Sequence, residues 1–525
     1  MDNVAVVDLF AGPGGLGEGF SSFHNNIEEP VFKIELSIEK QVDAHRTLLL
    51  RSFFRKFPSG EIPKEYYDYL KGQINSQEEL FSLYPNEFEE AKQEAWCAEL
   101  GSSPALNKTI DSRIEKIKKI YGDRWILIGG PPCQAYSVIG RSRNKGIKKY
   151  IPEKDPKSYL YKEYLRIIAK HLPSVFIMEN VTGMLSAKLN GKSVFEKILS
   201  DLKCPSKTLQ ANENKSIDKS NDYEIHPLIL PQDGDAKTPE FSHPKDYIIK
   251  AEKFGIPQRR HRVVLFGVRK KYSLGNPNTL SPKEETVSVL NTLCDLPKLR
   301  SGLSRDKDSF KKWKSRVLQL INNKWFLKYD EQKENVQQCM LKAIGNIENT
   351  DKLETGGQFV RSVSNEKLVN SWWYIDDKLG GVCNHQSKSH MTPDLHRYLF
   401  AACFSKCFGV SPKIHEFPKE LIPKHKSAKS GNFNDRFRVQ TRDNPSTTIT
   451  SHISKDGHYF IHYDPSQCRS FTVREAARLQ TFPDNYYFEG SRTQQYIQVG
   501  NAVPPLLAYQ IAEVVYETLK GSEIL

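Results

Sequence analysis

Val4-Ala5-Val6-Val7-Asp8-Leu9-Phe10 runs straight into Ala11-Gly12-Pro13-Gly14-Gly15-Leu16-Gly17, and this stretch decides the fold. The first seven residues read as an apolar strand and the glycines as a tight loop, with a helix expected after it. Ile34, Leu36 and Ile38 then alternate with polar residues, which predicts a period-2 strand ending at Glu39. Residues 1–50 are therefore a β-loop-α-β unit. Further strands are expected at 125–128, 175–178 and 263–266, and a helix at 159–171. Strands alternating with helices imply an α/β fold on a mostly parallel sheet.

Working outward, residues 60–122 turn helical and charged, with Ile114, Ile117 and Ile120 on one face, and read as an insertion at a sheet edge. The polar stretch 203–245 reads as a long loop. From 293 to 468 the chain is basic, aromatic and irregular, which marks a second, smaller domain. Order returns in 469–525, with helices over 474–482 and 504–519.

The 525 residues carry 76 Lys and Arg against 63 Asp and Glu, a net charge of +13 that favours a polyanionic partner. Arg141, Arg143, Lys145, Lys148 and Lys149 follow one another with no acid, and two more basic runs lie at 300–328 and 413–442. Three such runs favour phosphate contacts. Nine dispersed cysteines without a CxxC pair read as reduced thiols. Neither a run of ~18 apolar residues nor a secretory leader is visible, so a soluble, intracellular protein is expected.

Four short segments carry chemistry. Gly12, Gly14 and Gly17 form G-x-G-x-x-G after a strand, with the acid Glu39 ending the next one. Such glycines let backbone approach a ligand and such an acid binds ribose hydroxyls, which suits NAD, FAD or S-adenosylmethionine, though a plain turn has the same pattern. Gly129-Gly130-Pro131-Pro132-Cys133-Gln134 follows the strand Trp125-Ile126-Leu127-Ile128. Cysteine is often simply buried, but two prolines fix the backbone and commit the next side chain to one direction. Glu179-Asn180-Val181 ends another strand and offers a carboxylate for proton transfer. Gln258-Arg259-Arg260-His261-Arg262 enters a strand with Arg260 and Arg262 on one side, two guanidiniums suited to an anion or a base edge. Gln498 to Pro505 reads as a turn before the last helix.

In order, the segments at 8–20, 129–137, 179–181, 258–262, 474–484 and 498–505 resemble the DNA cytosine-5 methyltransferase family, in its prokaryotic restriction-modification form. The resemblance implies a Rossmann-like S-adenosylmethionine-dependent catalytic domain over 1–292, a target-recognition domain over 293–468, and a C-terminal segment over 469–525 that returns to the catalytic domain. It implies that Cys133 attacks C6 of a flipped-out cytosine, that Glu179 protonates or hydrogen-bonds N3, and that Arg262 holds the base with Arg260 in support. It places Phe10, Gly12, Gly14, Gly15, Gly17, Glu39 and Asn501 around S-adenosylmethionine. Gln134, Asn180, Gln258, Arg141 and Arg143 fall on the substrate side. Glu39-x-x-x-x-Ala44-x-x-Thr47 belongs to the same pattern.

The chemistry agrees from below. Cytosine C5 is a poor nucleophile until a thiolate adds at C6 and a proton is held at N3. A base inside a duplex is out of reach, so it must leave the stack. Lys40 stands where some relatives carry an apolar or aromatic residue against adenine, and Glu99-Leu100 is a weak match to the motif expected between the second strand and Pro132-Cys133. Asn434, Arg436, Arg438, Gln440, Arg442, Lys455 and His458 are the base-reading candidates, of which most should meet phosphate or solvent. Cys383, His385, His390, Cys403 and Cys407 lack finger spacing, and no metal is expected. Double-stranded DNA is the expected partner of a monomer acting in a prokaryotic cytoplasm at the nucleoid, with a cognate restriction endonuclease alongside. Methylation of RNA, or DNA binding without catalysis, are the competing readings.

Overall fold

A strand that is apolar on both faces needs cover on both faces, and β1 (Val4–Leu9) has it. All six residues are buried. Val4 and Val6 point into one core, Ala5, Val7 and Leu9 into another, as a period of two requires. A computed structural model describes residues 3–25, 30–132, 160–189, 191–209, 221–230, 243–273, 275–327, 334–362, 368–423, 434–522 and 524–525. In it β1 leads through the glycine loop to α1 (Gly15–Ser21), β2 (Phe32–Glu39) and α2 (Val42–Phe54). After three short helices over 64–94 come β3 (Ala95–Cys97), α3 (Pro104–Tyr121), β4 (Trp125–Gly129), α4 (Leu160–His171) and β5 (Val175–Val181). Then follow β6 (Tyr223–His226), β7 (Ile248–Lys250), β8 (Gln258–Arg259) and β9 (His261–Arg269).

The central sheet runs β3-β2-β1-β4-β5-β9-β6, with β7 also pairing β9. β1 to β5 pair in parallel, and β9 lies antiparallel to its neighbours β5, β6 and β7. Strand order reverses between β1 and β4, so a crevice opens beyond their carboxyl ends, where ligands of open α/β sheets bind. One face is covered by α1 and by the last helix, α9 (Pro505–Gly521), the other by α3 and α4.

Three readings of the sequence are corrected. Ile110, Ile114 and Ile117 are buried on α3, but Ile120 is 72 % exposed, because it lies a turn's edge away from the stripe that the other three share. Within 203–245, Tyr223–His226 is not loop but strand β6, with Tyr223 and Ile225 in the core. The segment 60–122 is not one insertion: β3 extends the sheet, α3 covers it, and the helices over 64–94 form a separate core with Leu50 and Phe53 of α2 and Leu379.

After residue 293, α5 (Glu334–Glu348) and α6 (Thr392–Phe408) pack with a helix over 310–318 around Trp313, Met340 and Leu399. α7 (Val473–Leu479), α8 (Arg492–Asn501) and α9 complete the chain. Val289 and Ile449 share a core with Val473, Phe482 and Val499, so packing is continuous across residues 468 and 469. No helix among the described residues is long and apolar enough to cross a membrane.

Candidate active site

The crevice draws its residues from five strand ends. Glu39 closes β2, and its carboxylate accepts a hydrogen bond from Gly12 N at 2.9 Å and from Gln41 N at 2.7 Å. The acid thereby draws the glycine loop to the neighbouring strand. Phe10 holds φ 60°, a left-handed conformation that is uncommon for a large side chain and that turns its ring out of the strand path. Gly12 also has positive φ, and a Cβ built there meets nothing within 4 Å, so its backbone faces open space. Gly15 is a glycine for the opposite reason: a Cβ would lie 2.3 Å from Val503 O. That contact seats the 498–505 turn on the glycine loop. Gly14 and Gly17 are buried in the same unit, while Asn501, at the end of α8, is exposed.

Thr47, half of the pattern that begins at Glu39, donates to Gln498 Oε1 at 2.7 Å and accepts from Glu489 N at 2.8 Å. It positions the turn and does not face the crevice. Asp8 lies under the loop, fully buried, and burial raises its carboxyl to about 8. Lys40 and Glu99 pair at 3.0 Å beyond the ends of β2 and β3, which brings both departures from the family pattern to one place.

The second group lies across β4, β5 and β9. Cys133, Gln134, Arg141 and Arg143 lie outside the described residues. Their approach is described as far as Pro132, and Asn180 fixes it: its Nδ2 donates to Pro131 O at 3.0 Å while its Oδ1 accepts from Val181 N at 2.9 Å. Asn180 is 5 % exposed, so these bonds are shielded from water. Glu179 is next to this turn, since a Cβ on Gly130 would sit 3.2 Å from its Oε2. On the antiparallel neighbour, Arg262 Nε meets Glu179 Oε1 at 3.0 Å. Burial pulls the Arg262 pKa down and Glu179 pushes it back up.

Arg260 and Gln258 are where the sequence placed them but face elsewhere. The fully buried Arg260 donates from Nη1 to Ile449 O at 3.0 Å and from Nη2 to Ala502 O at 2.8 Å. Gln258 donates from Nε2 to Leu479 O at 2.8 Å and to Gln480 Oε1 at 2.6 Å, and accepts from Ile449 N at 3.0 Å. The two residues join β8 and the segment at 446–450 to the C-terminal helices. Arg260 and Arg262 do flank one small cavity of about 10 Å³, with Glu179, Leu16, Val503 and Pro504. That volume is about what a single water needs.

The base-reading candidates divide sharply. Gln440 and His458 are buried: Gln440 donates to Tyr459 O at 2.7 Å and accepts from Thr447 N, and His458 meets Tyr398 Oη at 2.6 Å. Both are braces, which overturns that part of the reading. Arg436 pairs with Asp456 at 2.9 Å and Arg438 with Asp435, while Asn434, Arg442 and Lys455 are exposed. β8 pairs with β10 (Ser446–Thr447), four residues after Arg442 in the chain. Cys383 and His385 lie on a strand at 381–386, with His385 held by Thr472 Oγ1 and Pro297 O, whereas Cys403 and Cys407 are on α6. No group of three His, Cys, Asp or Glu among the described residues is arranged to hold a metal ion.

Sequence reading missed Glu18, Arg51 and Tyr486. Arg51 Nε donates to Glu18 Oε2 at 2.9 Å, and Tyr486 Oη donates to Pro13 O. Tyr486 follows the 474–484 motif by two residues, and its neighbourhood was the only available signal.

Comparisons with known proteins identify the family. The sequence profile of C-5 cytosine-specific DNA methylases matches residues 76–204 and 243–517. The type II methyltransferase M.Bpa9945I of Bacillus paralicheniformis is 33 % identical over 98 % of this chain and 99 % of its own. M.AgeI of Thalassovita gelatinovora, also a type II methyltransferase, is 24 % identical over 97 % of this chain and 98 % of its own. Among solved structures, a prophage-encoded E. coli protein assigned as a DNA modification methyltransferase superposes with a TM-score of 0.51 at 18 % identity, covering 99 % of this chain and 100 % of that one. That likeness supports the fold.

Proposed function

Because the chain belongs to the family of C-5 cytosine-specific DNA methylases, we propose that it transfers a methyl group from S-adenosylmethionine to C5 of a flipped-out cytosine in duplex DNA, through a covalent bond from Cys133 to C6. The single observation that carries this reading is the Glu179–Arg262 pair at 3.0 Å, next to the Pro131-Pro132 segment that Asn180 anchors and that precedes Cys133 in the sequence.

The residues of the crevice fit the cofactor. Gly12 with its open backbone, Phe10 and Glu39 stand at or just past the ends of β1 and β2 and would hold S-adenosylmethionine there, with Asn501 assigned to the same site. When bound, S-adenosylmethionine supplies an electrophilic methyl on a sulfonium.

The chain's own groups do the rest. The Cys133 thiolate adds to C6, with the basic run at 141–149 favouring the anion. Glu179 holds a proton at N3, and Arg262 keeps that carboxyl oriented and meets the base. Electron density moves to C5, which takes the methyl as the S–CH3 bond breaks and leaves the neutral thioether S-adenosylhomocysteine; a water or hydroxide takes the C5 proton, Cys133 leaves C6 as the thiolate, and the N3 proton returns to Glu179, which restores the ring. Arg260 and Gln258 act as positioning residues in this scheme. Region 293–468 serves target recognition, with Arg442 and Lys455 as its exposed candidates at 441–455, and a restriction endonuclease of the same specificity is the expected companion.

The test is transfer of labelled methyl from S-adenosylmethionine to duplex DNA, and trapping on duplex DNA carrying 5-fluorocytosine. Cys133→Ser should abolish both and leave cofactor binding intact. Methylation retained by that variant overturns the assignment of the nucleophile, and transfer to RNA in preference to duplex DNA overturns the substrate.

A further inference from the structure

The glycine loop is held by few bonds of its own. Ala11 N reaches Ile38 O at 3.1 Å, Gly14 N reaches Ala11 O at 3.0 Å, and Gly12 N reaches Glu39. Pro13 has no N–H, and it is buried, so its carbonyl needs a donor from elsewhere. Tyr486 provides it through its hydroxyl. The Tyr486 ring is fully buried, against Phe482 at 4.8 Å and Phe488 at 5.5 Å between centroids, and so has one orientation to offer.

The same side chain touches a second hold on the loop. The Arg51 guanidinium lies 5.0 Å from the Tyr486 ring centroid and 3.9 Å from that of Phe54. It binds both carboxylate oxygens of Glu18, on the helix that leaves the loop, and donates from Nη1 to Asn485 Oδ1 at 3.2 Å. Burial works against both charges, and their pairing in a two-point fork offsets it. Arg55 lies 3.5 Å from Glu18 and ties the unit to Glu94 in the 64–94 helices. One cluster thus grips the loop at Pro13 and its helix at Glu18, from elements more than 400 residues apart in sequence, the separation of Tyr486 from Pro13 being 473.

We propose that Tyr486, with Arg51 and Glu18, is a positioning unit that sets the glycine loop for the cofactor. This rests on the reading that the loop binds S-adenosylmethionine. Tyr486→Phe keeps the ring and removes one hydroxyl. Losing one buried hydrogen bond to a backbone carbonyl should weaken S-adenosylmethionine binding about five- to tenfold and raise its KM in step. At saturating cofactor kcat should stay within about twofold of wild type, as should DNA affinity, because the unit acts on the loop and not on the reacting atoms.

Calorimetric titration with S-adenosylmethionine and a KM-against-kcat comparison decide the matter, with melting temperature recorded alongside. Unchanged cofactor affinity in folded Tyr486→Phe refutes the proposal. Equal loss of cofactor and DNA binding refutes it too, by making Tyr486 a general core residue. If Tyr486→Phe melts far below wild type, Arg51→Lys carries the same expectation, because lysine keeps the charge beside Glu18 but cannot also reach Asn485; unchanged cofactor affinity there refutes it. Wild-type protein that binds no S-adenosylmethionine overturns the cofactor reading instead.

Discussion

Asn180 offers a sharp test of how the segment before Cys133, the proposed nucleophile, is held. It is 5 % exposed and makes two bonds, donating to Pro131 O at 3.0 Å and accepting from Val181 N at 2.9 Å. Asn180→Ala leaves the buried Pro131 carbonyl without a donor, which costs about 1–3 kcal/mol. If that cost falls on the placement of Cys133 in the transition state, the rate drops about 5- to 150-fold at 1.36 kcal/mol per factor of ten. Asn180→Asp is nearly isosteric and still accepts from Val181, but it turns an acceptor toward the Pro131 carbonyl. Two oxygens then face each other at hydrogen-bond distance, so Asp should be slower than Ala even though it is closer in shape. Single-turnover methyl transfer to duplex DNA, with enzyme in excess and cofactor saturating, measures the step directly. Cofactor affinity should be unchanged, since Asn180 lies on the β4–β5 side of the crevice. Asn180→Asp transferring methyl faster than Asn180→Ala would refute the reasoning, because the donor would then not be what holds the turn.

Two further outcomes follow from the same crevice. Gly15→Ala places a methyl 2.3 Å from Val503 O, which must retreat about 1 Å to reach ordinary contact at 3.4 Å; the variant should lose about 1–3 kcal/mol of stability together with cofactor binding, whereas Gly12→Ala, with no protein atom within 4 Å, should lose in stability only the strain of its positive φ while its methyl enters the proposed cofactor space and weakens cofactor binding. Denaturant titration and calorimetry compare them, and a Gly15→Ala protein as stable as wild type would count against the seating of the turn. Burial raises Asp8 from its ordinary 3.8 to about 8, so the folded chain holds a proton that the unfolded chain has released. Stability should therefore fall as pH rises between those two values and level off above about 8. Asp8→Asn should flatten that slope and be the more stable protein at the alkaline end; a variant less stable than wild type there, with the slope unchanged, would show that burial does not raise the Asp8 carboxyl.

By itself the sequence determined the sheet's central strands, the glycine loop, the Glu39 strand end and the family, because each is written in local terms. A strand covered on both faces must be apolar, a loop open to a ligand must be glycine-rich, and a turn with two prolines has little freedom. Glu179 and Arg262 were also legible, and their pairing needed only the antiparallel register of β5 and β9. Tertiary structure alone decided the rest. Arg260 and Gln258 share a motif with Arg262, yet they bind the backbone at Ile449, Leu479 and Ala502, because their side chains enter the seam with the C-terminal helices. Gln440 and His458 have the right chemistry to read bases but are spent on Tyr459, Thr447 and Tyr398 inside the second region. Tyr486 reaches Pro13 across 473 positions, and Gly15 is small because Val503 approaches it. Hydrogen bonds and contacts of this kind depend on which surfaces the fold brings face to face, and a residue's type states what it can bind without stating what will be beside it.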